Sequence, residues 1–336
     1  MKESNLEFYR PSIDFILDTQ LSSGAIPWER DGKIDPWDHI EAAMGLAVAG
    51  ELEASEKAYF WLKNFQLNDG SWYAEYSSLG KTSLRKESNF VAYIATGLWH
   101  YYLISKDIRV LRDFEDCLDL AFHFVLDMQS SEGDISWAID EEGRVLDDAL
   151  ITGCSSIYKS LECYIAIKTV LGSNCNKAKL SMQKLKDSLI NKPERYDRKW
   201  NSKDRYSMDW YYPILCNVIK GNEAEKRIDK RLEEFVVRDL GCKCVKEEPW
   251  VTVAESSELV ISLVNIGLKD KAKEIFNWLH QHRDTKEGLY WTGYVFQDDT
   301  FWPVEKPTWT AAAVLLAADS LYNFSEGNRL FLTDWS

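Results

Sequence analysis

Three things are scarce in this chain of 336 residues: positive charge, strand-like alternation and long apolar runs. Lys and Arg number 40 against 54 Asp and Glu, a formal charge of −14. So acidic a surface repels phosphate backbones and anionic headgroups, which argues against nucleic acid and membrane as partners. No apolar run reaches the ~20 residues needed to span a bilayer, and the opening Met1-Lys-Glu-Ser-Asn-Leu-Glu7 lacks the apolar core of a signal peptide. The seven cysteines are odd in number and scattered, which fits a reducing compartment and points to the cytoplasm. Cys242-Lys-Cys244 is the one close pair, and a single C-x-C is a weak metal signal, so neither metal nor other cofactor is expected. No Pro/Gly/Ser-rich linker divides the sequence, and residues 1–336 are expected to form one domain of unspecified oligomeric state.

What is abundant is aromatic side chain: 14 Trp, 16 Tyr and 14 Phe, many beside Asp or Glu rather than within apolar runs. A large core accounts for some of them. A cavity walled by aromatic faces and dotted with carboxylates accounts for their acidic neighbours. The aromatics also punctuate a repeat. Gln66-Leu-Asn-Asp-Gly-Ser-Trp72 has weaker copies in Gln20…Gly24…Trp28, Gln129…Gly133…Trp137 and Gln281…Gly288…Trp291. Each copy closes a helical pattern, turns on a glycine and places an indole. Repetition at intervals of about 50 residues is the mark of a repeat architecture.

Helical periodicity dominates between these punctuation points. Six pairs are predicted: 6–19 with 36–49, 51–65 with 84–104, 108–128 with 147–171, 177–190 with 205–219, 223–237 with 253–266, and 269–280 with 307–321. The first member of each pair is amphipathic, as in Lys226-Arg-Ile-Asp-Lys-Arg-Leu-Glu-Glu-Phe-Val236, and the second is apolar almost all round, as in Thr310-Ala-Ala-Ala-Val-Leu-Leu-Ala-Ala318. A helix without a polar face belongs inside. Six outer and six inner helices describe an all-α fold, the (α/α)6 toroid. Asp35-Pro36 reads as an N-cap and Thr252-Val-Ala-Glu255 as a capping box. The long connectors precede inner helices, so they gather at one rim, and a pocket is expected there.

Every inner helix carries acid near that rim: Asp38 and Glu41; Glu87 with Asn89; Asp147 and Asp148; Asp209; Glu255 and Glu258; and Glu305. Acids favour first helical turns for the macrodipole alone, so any one of them is as readily a cap as a catalyst. The set is harder to dismiss, because caps need no indole next door. Paired carboxyls working as acid and base are the machinery of glycoside hydrolysis, and aromatic faces stack on sugar C–H faces. The expected catalytic pair is Asp38 and Glu255, with Asp148, Asp209 and Glu258 in reserve. Glu255 is assigned the proton-donor role, because Trp250, Val251 and Val253 surround it with apolar groups. Trp37, Trp210, Trp291 and Trp309 are the expected sugar platforms. Glu75, Tyr76, Asn89, Tyr93, Tyr211, Tyr294, Trp302 and Glu305 complete the candidate binding set for a carbohydrate substrate.

The Gln66–Trp72 string looks like the QW motif of triterpene cyclases, whose toroid this pattern resembles. The chemistry of that family does not carry over. Val145-Leu-Asp-Asp148 lacks the first Asp of D-x-D-D, and neither Asp147-Asp-Ala-Leu-Ile151 nor Asp298-Asp-Thr-Phe-Trp302 is a D-D-x-x-D. An isoprenoid cyclase or prenyltransferase-like enzyme and a non-catalytic glycan-binding toroid stand as the rival readings. A fuller resemblance lies in Arg205-Tyr-Ser-Met-Asp-Trp-Tyr-Tyr-Pro213, Pro249-Trp-Val-Thr-Val-Ala-Glu255, Tyr290-Trp-Thr-Gly-Tyr-Val-Phe296 and Trp302-Pro-Val-Glu-Lys-Pro-Thr-Trp309. These strings resemble the methylmannose-polysaccharide hydrolases of mycobacteria. The resemblance implies an endo-acting α-mannosidase on a neutral, methylated mannose chain, a class within which inversion at the anomeric carbon is expected here.

Overall fold

The computed structural model of the protein describes residues 2–77 and 80–332. In chain order its first seven helices are α1 (Arg10–Thr19), α2 (Pro36–Val48), α3 (Leu52–Phe65), α4 (Ser88–Ser105), α5 (Ile108–Asp113), α6 (Glu115–Asp127) and α7 (Ile151–Leu171). There follow α8 (Asn176–Asn191), α9 (Ser207–Leu215), α10 (Gly221–Phe235), α11 (Val253–Asn265), α12 (Lys269–Leu279), α13 (Thr308–Tyr322) and α14 (Arg329–Leu332).

Apolarity sorts them into two layers. Every residue of α2 except Asp38 is buried, whereas α10 buries only Ala224, Ile228 and Phe235, a single stripe at helical spacing. The inner helices α2, α4, α7, α9, α11 and α13 pack each on the next, and α13 returns to α2 to close the ring. Small residues permit that closure: a Cβ on Gly45 of α2 would stand 3.0 Å from the Ala312 Cβ of α13. The protein is an (α/α)6 toroid.

The glutamine–glycine repeat is the joint between successive outer helices. Gln66 Nε2 donates to Gly70 O across its own turn and to Cys117 O of α6, at 3.0 and 2.8 Å. Gln20 does the same toward Gly24 O and Ala54 O, and Gln129 toward Gly133 O and Ser181 O. Gly70 has φ +87°, and a Cβ there would lie 2.1 Å from Leu120 O, so glycine is required twice over. Trp72 is buried, its indole donating to Leu62 O. The motif that looks like a cyclase signature is therefore a packing device. Gln281 departs from the pattern and donates to Asp239 O and Trp278 O.

The six connectors that precede inner helices form a second ring on one rim. Ile34 bridges Tyr76, and strand Lys86–Glu87 pairs with strand Ala138–Ile139. Asp197 N–H donates to Ala149 O, and Tyr206 bridges Val245. Strand Trp250–Thr252 pairs with strand Gly293–Val295, and Thr308 N–H donates to Trp28 O to complete the circuit. Because all six connectors meet, all six inner-helix N-termini share that rim. At the opposite end α14 packs under the ring, with Asn217 Nδ2 donating to Phe331 O at 3.0 Å.

Several expected boundaries move. Helix α4 begins at Ser88 instead of 84, after strand at Lys86–Glu87, and α7 at Ile151 instead of 147, after strand at Val145–Leu146, because connector backbones satisfy one another before the helices begin. The third outer helix is broken at Phe114 (φ −99°, ψ 0°). Helix α9 ends at Leu215 instead of 219, where Asn217 adopts φ +62° and Ile219 N–H turns back to Pro213 O. The Thr252 capping box does not form: the Thr252 side chain makes no cap bond.

Candidate active site

Asp38 and Glu255 occupy the first turns of α2 and α11, the two helices that flank α13. Asp35 caps α2 as expected, its Oδ1 accepting from Asp38 N–H at 2.9 Å. This places two aspartates side by side, with Lys33 Nζ 3.8 Å from Asp35 Oδ2. Burial pushes the Asp38 carboxyl well above the usual carboxylate range, and the neighbouring Asp35 charge adds to the effect, against a smaller opposing pull from Lys33. Asp38 as a residue is half-buried at the rim. Glu255 is buried, with the Cys244 thiol beside it.

Each of these acids has a second one a helical turn deeper, at the same spacing of three residues. Glu41 lies below Asp38 and Glu258 below Glu255, both buried and lining one narrow cavity on the ring axis. Glu41 Oε1 accepts from Tyr93 Oη at 2.9 Å and Oε2 from Trp309 Nε1 at 2.7 Å. Glu258 accepts from the hydroxyls of Tyr211 and Tyr212. Burial raises Glu41 to about 7 against the lowering pull of Tyr93, Trp309 and, more weakly, Trp37. Burial and then the Glu41 charge raise Glu258 well above its ordinary value. Ser156, Lys159, Leu215, Ile261 and Phe331 close the floor.

Around this axis stand Trp37, stacked on Tyr93 with centroids 3.9 Å apart, and half-buried Trp309, 5.7 Å from Trp28. Asn89 is half-buried beside Gly153 at the start of α7. On the connectors, Trp291 stacks on Phe301 under Lys306 Nζ, and Tyr294 donates to Asp299. Glu305 accepts from Thr292, and Trp302 is exposed, taking the Trp250 indole N–H on its carbonyl at 2.8 Å.

Other candidates lie elsewhere. Trp210 is fully buried and stacks on Phe235 of outer helix α10, its indole bonded to Arg227 O, so it faces away from the axis. Asp209 sits with it beside Arg227, and burial raises it to about 6. Asp148 spends both oxygens on the amides of Ala149, Arg198 and Lys199, which makes it a tie between two connectors. Tyr76 is buried against Trp61 and Phe65 of α3, and Glu75 accepts from Thr82 in a surface hairpin. The expected reason for Glu255 as donor also fails, because the Trp250 indole lies across Gly293 and binds the Trp302 carbonyl. Sequence reasoning counted Glu41 among the rim acids and Trp28 within the repeat but gave neither a place in the site, although the shared three-residue spacing of 38/41 and 255/258 was a signal for the former. Among the described residues no group of three or more His, Cys, Asp or Glu side chains is arranged to hold a metal ion.

No protein-family model matches the chain. The MMP endo-(1,4)-3-O-methyl-alpha-D-mannosidase of Mycolicibacterium hassiacum is 41% identical over 322 residues, covering 96% of this chain and 88% of the relative. Among solved structures, a wild-type glycosidase superposes with a TM-score of 0.74 at 12% identity, covering 95% of this chain and 97% of that one. A sugar epimerase from a ruminal bacterium gives 0.70 at 15% identity, with 93% and 98% covered. A D-mannose isomerase gives 0.69 at 9% identity, with 95% and 98% covered. These solved structures share the toroid.

Proposed function

The chain belongs to the family of the MMP endo-(1,4)-3-O-methyl-alpha-D-mannosidase and is a glycoside hydrolase, and we propose that it cleaves a neutral, 3-O-methylated α-(1,4)-mannose chain internally with inversion. The observation that carries the catalytic assignment is the placement of Asp38 and Glu255 at one rim on helices flanking α13. Asp38 is assigned the proton-donor role, the reverse of the sequence-based expectation, because burial and the neighbouring Asp35 hold its carboxyl above the usual carboxylate range, which favours the protonated form. It protonates the glycosidic oxygen as the C–O bond breaks. Glu255 takes a proton from the water that attacks the anomeric carbon from the opposite face, and one water is consumed per bond. Trp309 and the Trp37–Tyr93 stack supply apolar faces, which suit a methylated sugar. All seven cysteines are free, which supports a reducing compartment such as the cytoplasm. Among the described residues no helix is long and apolar enough to cross a membrane.

The deciding experiment is a hydrolysis panel of α-(1,4)-mannosides with and without 3-O-methyl groups, beside the matching glucosides. Cleavage inside methylated mannosides is expected. Turnover of glucosides alone would replace the substrate, and binding without turnover would favour the non-catalytic toroid.

A further inference from the structure

Glu41 presents a puzzle that the proposed reaction does not absorb. A buried carboxyl is costly, and leucine or methionine would pack in its place with no penalty for desolvation. Both of its oxygens are already engaged, Oε1 by Tyr93 Oη and Oε2 by Trp309 Nε1. Those two donors come from different inner helices, α4 and α13, on either side of α2. Each belongs to an aromatic wall. Tyr93 lies flat on Trp37, with planes within 6°, and Trp37 immediately precedes Asp38. Trp309 leans on Trp28 at an interplanar angle of 34°. Glu41 thus ties both walls to the helix that carries the proton donor.

We propose that Glu41 is a positioning residue for the hydrolysis: by holding Trp309 and Tyr93 together it fixes the angle between the two aromatic walls that receive the sugar ring. The inference rests on the glycosidase reading for its substrate. Its logic is geometric. An indole has two side-chain torsions and a single polar hydrogen, which here goes to Glu41 Oε2, so loss of that bond frees it to turn. A platform that turns binds sugar less well while leaving the acid and base in place. Glu258, with Tyr211 and Tyr212, has the same form, but its donors both come from α9, and Tyr212 meets Trp37 only at 6.2 Å and a 41° tilt.

The test compares wild type, Glu41→Gln, Trp309→Phe and the double variant on a methylated α-(1,4)-mannooligosaccharide. Glutamine keeps the shape but its amide nitrogen cannot accept from the indole or the phenol. A tenfold or greater rise in KM is expected for Glu41→Gln, with kcat within about threefold and the pH profile of kcat unmoved. The double variant should be no worse than the poorer single, because both remove one bond. A lowered melting temperature with unchanged KM would overturn the proposal and leave Glu41 a fold-stabilising group. Loss of kcat by orders of magnitude with a shifted pH profile would also overturn it, by making Glu41 an acid or base. If wild type hydrolyses no mannoside, the glycosidase reading falls separately. The crystal structure of Glu41→Gln then decides positioning, and a Trp309 indole unmoved from its wild-type rotamer sinks it.

Discussion

The indole of Trp37 lies flat on the phenol ring of Tyr93, centroids 3.9 Å apart and planes within 6°. Both rings are more than nine-tenths buried, and Trp37 adjoins Asp38 in the first turn of α2. The stack therefore holds α2 to α4 at the height of the proposed proton donor. Trp37→Ala should cost about 3–5 kcal/mol of stability, read by denaturant unfolding. Trp37→Phe keeps an aromatic face and should cost much less. A loss below about 1 kcal/mol for the alanine variant would mean that the stack contributes little to holding the helices.

Asp38→Asn and Glu255→Gln should each fold with near wild-type melting temperature and lose activity by orders of magnitude. A merely capping acid would do the reverse, losing on the order of 1 kcal/mol of stability and keeping turnover. Proton NMR of the first product should show the β-anomer from an α-linkage. Initial release of the α-anomer would mean retention, which needs the two carboxyls about 5–5.5 Å apart instead of about 6.5–9.5 Å.

Glu41 makes stability depend on pH in a definite direction. Its ordinary value is 4.5 and its folded value about 7, so between these the folded chain holds a proton that the unfolded chain releases. Stability from this group is complete below pH 4.5 and is lost as pH rises through about 7. His39, lowered to about 4 by burial, acts oppositely and gains stability as pH rises from 4 to 6.5. Subtracting the melting curve of Glu41→Gln from that of wild type isolates the glutamate. The difference should fall from pH 5 to pH 8, and a flat or rising difference would refute the assignment.

The repeat junctions should be brittle. Gly70→Ala forces a side chain onto Leu120 O at a φ of +87° and should cost roughly 2 kcal/mol or more. Gln66→Ala strips the donor from Gly70 O and Cys117 O and should cost about 1–3 kcal/mol. Gln281→Ala, at the copy with different partners, should cost less, and equal losses at the two positions would sever the link between motif and junction.

The sequence alone determined the layering and the order of the helices. A segment such as Thr310–Ala318, with no polar face, has nowhere to go but the centre, and Lys226–Val236 nowhere but the outside. It also marked Asp38 and Glu255, because acids in first turns of inner helices are readable from periodicity and caps. What periodicity could not settle is the direction in which a side chain points once helices pack. Trp210 and Trp309 both sit near the start of an inner helix beside acids, yet Trp210 turns out to Phe235 and Trp309 turns in to Glu41. Asp148 reads like Asp38 in sequence, but the Ala149 amide of its own connector and the Arg198 and Lys199 amides of the next absorb its oxygens. The pairing of Glu41 with two helices on either side of its own was likewise beyond the sequence, since hydrogen bonds between residues 52 and 268 positions apart exist only when the ring closes.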